Sequence, residues 1–139
     1  MHKIIVFLLA LLQFFAASQL ALAKESIAQC PTEIRTNQSA LDAPSAWAIS
    51  NEQTRYPLTT IRFSDGSPSE IAWLAPDKSS KSGTQEWKLL PSDRGYWVTC
   101  GYGSTSIILS QRILGKIRKC TIFLDKSFSP PIATKYECK

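Results

Sequence analysis

Four cysteines, Cys30, Cys100, Cys120 and Cys138, constrain this chain more than any other feature, because their spacing contains no C-x-x-C pair. Without such a pair, neither a zinc ribbon nor a thioredoxin-like redox site is expected. What four isolated cysteines do instead depends on the compartment, and the N-terminus speaks to that. His2 and Lys3 precede "IIVFLLALLQFFAA", Ile4 to Ala17, which is apolar except for Gln13. "SQLALA" then sets Ala21 and Ala23 at the small-residue positions that precede a cleavage site. A charged start, a short apolar core and an A-x-A ending predict a secretory signal peptide over residues 1–23. The apolar core is shorter than the ~20 residues that a spanning helix needs, so no stable membrane anchor is expected after cleavage. In an exported chain an even number of cysteines implies disulfides.

Cleavage after Ala23 leaves residues 24–139, a length that suits one domain with one core. Losing Lys3 leaves 15 basic against 11 acidic residues, a net charge of about +4. That charge is mild and scattered, so no nucleic-acid partner is expected. The precursor's single histidine, His2, departs with the signal peptide. The mature chain therefore has no imidazole for a Cys–His or Ser–His nucleophile pair, or for a His-ligated metal. Cys100, in "RGYWVTCGYGSTSIIL", is read as a half-cystine in a buried strand, since nothing nearby would lower its thiol pKa. Neither a catalytic residue nor a cofactor or metal site is assigned, and the chain is not expected to be an enzyme. Paired carboxylates acting on a glycoside need no histidine. The candidates Asp65, Glu70, Asp77 and Glu86 fall in turns or at exposed strand positions, which favours solvated surface acids.

Strand signals dominate the mature chain. "TEIRT", "LTTIRFS", "SEIAWLA" (Ser69 to Ala75), "QEWKLL", "YWVTCGY", "SIILSQRI", "CTIFLD" and "ATKYEC" are short apolar or alternating runs. Gly, Pro, Asp and Ser clusters such as "SDGSP", "PDKSSKSGT", "PSDRG" and "KSFSPP" separate them. The pattern predicts an all-β fold, a small antiparallel sandwich or partly open barrel. "SALDAPSAWAIS" has room for one helical turn. If "CTIFLD" and "ATKYEC" form an antiparallel hairpin with Asp125 opposite Ala133, Cys120 falls opposite Cys138. A directly opposed, non-hydrogen-bonded pair comes within ~4.5 Å at Cα, a separation that a disulfide accepts. Of the three possible pairings, this register favours Cys120–Cys138, leaving Cys30 for Cys100. Trp47, Trp73, Trp87 and Trp97 sit in apolar contexts that favour packing over an exposed sugar platform.

The layout resembles a family of small, uncharacterised exported proteins of Gram-negative bacteria. A Cys-Pro (Cys30, Pro31) and a lone Trp47 come first. An aromatic-x-Asp-Gly-x-Pro turn (Phe63, Asp65, Gly66, Pro68) and a Leu-x-Pro-Asp (Leu74, Pro76, Asp77) follow. A tryptophan strand (Trp87), Tyr-Trp-x-x-Cys-x-Tyr (Tyr96, Trp97, Cys100, Tyr102) and the late Cys120 and Cys138 complete the set. Some members are encoded near type VI secretion clusters, which implies a periplasmic immunity protein against a cell-wall-directed toxin. The chain is thus read as a non-catalytic periplasmic binding or inhibitor protein with a protein partner. The competing reading is an envelope module that grips glycan or peptidoglycan with exposed tryptophans. The working surface of an inhibitor is expected on loops rather than in a cleft. "PDKSSKSGT" offers Lys78 and Lys81, and "LGKIRK" offers Lys116, Arg118 and Lys119, clustered charge that would steer an acidic partner.

Overall fold

The computed structural model describes residues 27–139, so the expected signal peptide lies outside the described residues. The chain forms two four-stranded antiparallel sheets, as the alternating runs predict. Strands β1 (Glu33–Arg35), β2 (Arg55–Asp65), β5 (Tyr96–Tyr102) and β6 (Ile108–Arg112) make the first sheet, in the order β1-β2-β5-β6. Strands β3 (Lys78–Ser79), β4 (Thr84–Lys88), β7 (Lys119–Asp125) and β8 (Ile132–Cys138) make the second, in the order β3-β4-β7-β8. No described helix is long and apolar enough to cross a membrane.

Period-two alternation, shifted once in β2 by a bulge after Leu58, places the core between the sheets. Tyr56, Leu58, Ile61 and Phe63 of β2 and Val98, Cys100 and Tyr102 of β5 are buried from one side. Trp87, Cys120, Ile122 and Tyr136 of the second sheet meet them from the other. Phe63 is the keystone, with its ring edge-on to Trp87 at 5.1 Å and to Tyr136 at 5.9 Å. Such edge-to-face pairs add to the area term that drives burial. Two of the buried aromatics satisfy their polar handles at the margins: Trp87 Nε1 donates to the Leu74 carbonyl at 3.0 Å, and Tyr136 Oη to the Ala28 carbonyl at 2.7 Å, whereas the buried Tyr102 hydroxyl has no protein partner among the described residues.

Both disulfides form as the strand register suggests. Cys120 and Cys138 face each other across β7 and β8 with Cα atoms 4.1 Å apart. Lys119 and Lys139, the next pair, exchange backbone hydrogen bonds, so the cysteines do occupy a non-hydrogen-bonded position. Cys30 bonds to Cys100 at a Cα separation of 5.8 Å, tying the first described residues to the central strand β5.

Three expectations are corrected. Beyond Phe123 the β7–β8 register slips at a bulge, so that Leu124, not Asp125, faces Ala133 and Asp125 faces Ile132. Thr134 is the extra residue, and its hydroxyl donates to the Phe123 carbonyl. The strand expected over Ser69 to Ala75 is absent. Pro68 opens a single 3-10 turn through Glu70, and Ile71 ends it in the left-handed region at φ 57°. Proline fixes its own φ near the helical value and so favours the turn over an extended start. Only Trp73 returns to bridge Ser64. The third correction is that "PDKSSKSGT" is a tight hairpin rather than a loose loop, because Lys78 and Ser79 pair with Glu86 and Gln85.

Candidate functional site

The chain passes from the second sheet to the first between β4 and β5, and back again between β6 and β7. Since β4 neighbours β7 and β5 neighbours β6, these two crossovers run side by side at one end of the molecule. Backbone hydrogen bonds clamp their ends, Leu89 N to Arg118 O and Ile113 N to Tyr96 O, each at 2.8 Å. Between the clamps they diverge and enclose a half-open cleft of about 1010 Å³.

The cleft is built from a motif used twice. Leu89 and Ile113 each follow the last residue of a strand and point into the core, where they are buried. The next residue in each case, Leu90 and Leu114, is turned out, 73% and 52% exposed. Pro91, Tyr96 and Ile117 complete an apolar lining. Tyr96 Oη donates to the Leu90 carbonyl at 2.6 Å and so braces one wall. Burial, reinforced by the negative charge of Asp65, pushes the Tyr96 phenol above its ordinary value, which keeps it a neutral donor. Around this lining stand Lys88, Arg112, Lys116 and Arg118, against the single acid Asp93. An apolar floor with a basic rim suits a protein partner that brings apolar side chains flanked by carboxylates.

The five candidate basic residues separate into two groups. Lys116 and Arg118 line the cleft. Lys119 is the first residue of β7, and its Nζ lies 2.7 Å from Glu86 Oε1. Lys78 sits on β3 directly opposite the same Glu86, and Lys81 lies at the hairpin tip, where its carbonyl accepts a hydrogen bond from Lys126 Nζ at 2.6 Å. The fold therefore offers a cleft where loops alone were expected. Lys88, Leu90, Tyr96, Arg112 and Leu114 line this candidate cleft and were not singled out from the sequence as site residues. Their local signal is the pair of strand-ending segments "KLLP" and "RILG", each with two consecutive apolar residues where alternation allows one.

Each candidate acid has its own structural partner. Asp65 Oδ1 accepts from the Ser92 hydroxyl at 2.5 Å, Glu70 pairs with Arg94, Asp77 Oδ2 accepts from Lys88 N at 2.6 Å, and Glu86 holds Lys119. Among the described residues no three His, Cys, Asp or Glu side chains cluster as a metal site would require. Trp87 is buried and Trp47 exposed, while Trp73 and Trp97 are half-buried, with the Arg62 guanidinium 5.6 Å from the Trp73 ring. That arrangement differs from the row of exposed, coplanar indoles on which a sugar would stack.

Comparison with known proteins gives one result. A family model described as "Type VI secretion system Tli immunity protein" matches residues 51–139, more than half of the chain. The match runs through every strand from β2 to β8 and includes both walls of the cleft. No curated protein and no solved structure matches.

Proposed function

Because the chain belongs to the type VI secretion system Tli immunity protein family, we propose that it neutralises its toxin in the periplasm, by direct and non-catalytic binding at the cleft. Family membership supplies the immunity role. The observation that carries the choice of surface is the contrast within the cleft, where outward-turned Leu90 and Leu114 are ringed by Lys88, Arg112, Lys116 and Arg118. Exposed leucines beside unneutralised cations cost little on a free surface, and they gain when a partner buries the one and pairs with the other. Two disulfides and a packed aromatic core hold both walls in place before the partner arrives, which lowers the ordering cost of binding.

The test is protection. Cells that carry the cognate type VI toxin in their periplasm are expected to survive when the wild-type chain is co-expressed. The double variant Lys116→Glu with Arg118→Glu should lose protection and weaken toxin binding by roughly 10- to 100-fold, with a smaller dependence on salt. Lys78→Glu with Lys81→Glu should protect like the wild type. If the hairpin variant fails and the cleft variant protects, the surface is wrongly assigned.

A further inference from the structure

We infer that the free edge of β6 is a strand-addition site for an extended segment of the toxin, continuous with the cleft. This rests on the toxin-binding reading above and names the chemistry of that partner.

β6 is an outer strand of the first sheet. Its hydrogen-bonding phase follows from one contact. Ile113 N donates to Tyr96 O, and the β5–β6 register is constant through Trp97 opposite Arg112 and Thr99 opposite Ser110. In an antiparallel ladder bonded and non-bonded pairs alternate. Gln111 and Leu109 therefore bond inward to β5, while the N–H and C=O groups of Ile108, Ser110 and Arg112 point away from the sheet. The β2–β5 ladder agrees: Gly66 N donates to Gly95 O, so Trp97 and Thr99 bond toward β2 and not toward β6. No other described strand takes up the outward row of β6.

The other outer strands are protected in ways natural sheets use. β1 has three residues, and those aimed outward, Glu33 and Arg35, are charged. β3 has two residues. On β8 the outward N–H of Tyr136 is capped by Gln29 Oε1 at 3.3 Å. β6 is longer than β1 and β3 and carries a single charge, Arg112, at its end, and three consecutive apolar residues lie exposed there, Ile107 just before the strand and Ile108 and Leu109 within it. An edge with unpaired main-chain groups and apolar side chains is what a partner strand completes: the backbone supplies affinity and the side chains supply specificity.

Charge decides the occupant. β6 ends in Arg112, which is also part of the cleft rim. A segment laid along β6 thus runs from Ile108 into a field of four cations. A second copy would leave Lys88, Arg112, Lys116 and Arg118 poorly matched, since residues 24–139 carry a net charge of about +4. A toxin segment with apolar residues opposite Ile108 and carboxylates at the cleft end satisfies both.

The probe is the toxin that co-purifies with the tagged chain, subsequently produced and purified on its own. On adding it, the amides of Ser110 and Arg112 should exchange with solvent at least about tenfold more slowly. Ser110→Pro removes an outward donor that the native ladder does not use, a position where an edge strand accepts proline. It should weaken toxin binding by about tenfold or more, whereas Ser110→Ala should stay within about twofold. If Ser110→Pro binds normally and the two amides exchange freely, while the Lys116/Arg118 double variant still loses binding, the strand-addition inference is overturned and the cleft reading stands. If the amides become protected as the chain itself is concentrated, the occupant is a second copy and the inference is overturned. If the wild-type chain binds no toxin, both readings fall. Should Ser110→Pro not fold, amide exchange in the wild-type complex decides alone.

Discussion

In the 76–84 hairpin, Ser80 Oγ contacts the hydroxyls of Ser82 and Thr84 at 2.7 Å, Lys126 reaches the Lys81 carbonyl, and Asp77 accepts from Lys88 N. In the 113–118 connection the backbone is held only at its ends, through Ile113 and Arg118, and Leu114 stands in solvent. Both segments read as basic connections with a glycine, yet they use their residues differently. The hairpin ties up its hydroxyls and much of its backbone and sets Lys78 across from Glu86, the carboxylate that pairs with Lys119 at the start of β7. The crossover holds its cations and its leucine outward. The comparison teaches that positive charge in a loop is a poor guide to a binding surface until its partners inside the fold are known.

The largest effect should separate the two roles within the crossover itself. Ile113 is buried and Leu114 is half exposed, though they are neighbours of similar size. Ile113→Ala is expected to lower unfolding free energy by about 2–5 kcal/mol in chemical denaturation, the range for truncating a buried aliphatic residue. Leu114→Ala should stay within about 0.5 kcal/mol of wild type, as exposed substitutions do, and weaken toxin binding instead. Equal losses of stability at both positions would mean that the crossover is packed as tightly as the hairpin, and the contrast would be lost.

A smaller effect is expected from the two glycines. Gly83 and Gly115 both have positive φ, 93° and 86°. A Cβ on Gly83 would lie 2.9 Å from the Leu124 carbonyl oxygen, whereas nothing lies within 4 Å of one on Gly115. Gly83→Ala should therefore cost about 2 kcal/mol or more, strain plus a backbone clash. Gly115→Ala should cost about 1 kcal/mol, from φ alone. Thermal denaturation of the two variants side by side measures the difference.

Much of the fold was legible because its signals are local. The buried positions of β2 follow two alternating pairs, Tyr56 with Leu58 and Ile61 with Phe63, offset by a bulge between them, and the Cys120–Cys138 bond follows from counting residues around one hairpin. "SEIAWLA" misled because its apolar pattern fits a strand while Pro68 and the left-handed Ile71 commit the chain to a turn. The cleft was illegible because its walls are distant in sequence and meet only through the β4–β7 and β5–β6 pairings. Lys116 and Arg118 were readable as loop charges. Lys119 was not readable as a paired one, since Glu86 lies 33 residues away.

The smallest effect, and the finest probe of the comparison, is expected at Glu86. The hydrogen bond from Lys119 holds its carboxyl below the ordinary value of 4.5; partial burial opposes this, and the charges of Lys119, Lys78 and Lys139 add to it. A carboxyl whose pKa falls on folding stabilises the native state above its unfolded value and loses that contribution as pH drops through the folded value. Glu86 should therefore contribute fully at neutral pH and progressively less below about pH 4.5. Glu86→Gln should flatten the acid limb of the stability–pH profile while changing neutral stability little, because the pair is partly exposed and screened by solvent. It should also leave toxin affinity unchanged, since Glu86 does not line the cleft. Tighter binding by Glu86→Gln at pH 7 would mean that Lys78 and Lys119, once released, reach the partner. The hairpin side would then belong to the interface, and its self-sufficiency would be a property of the free protein alone.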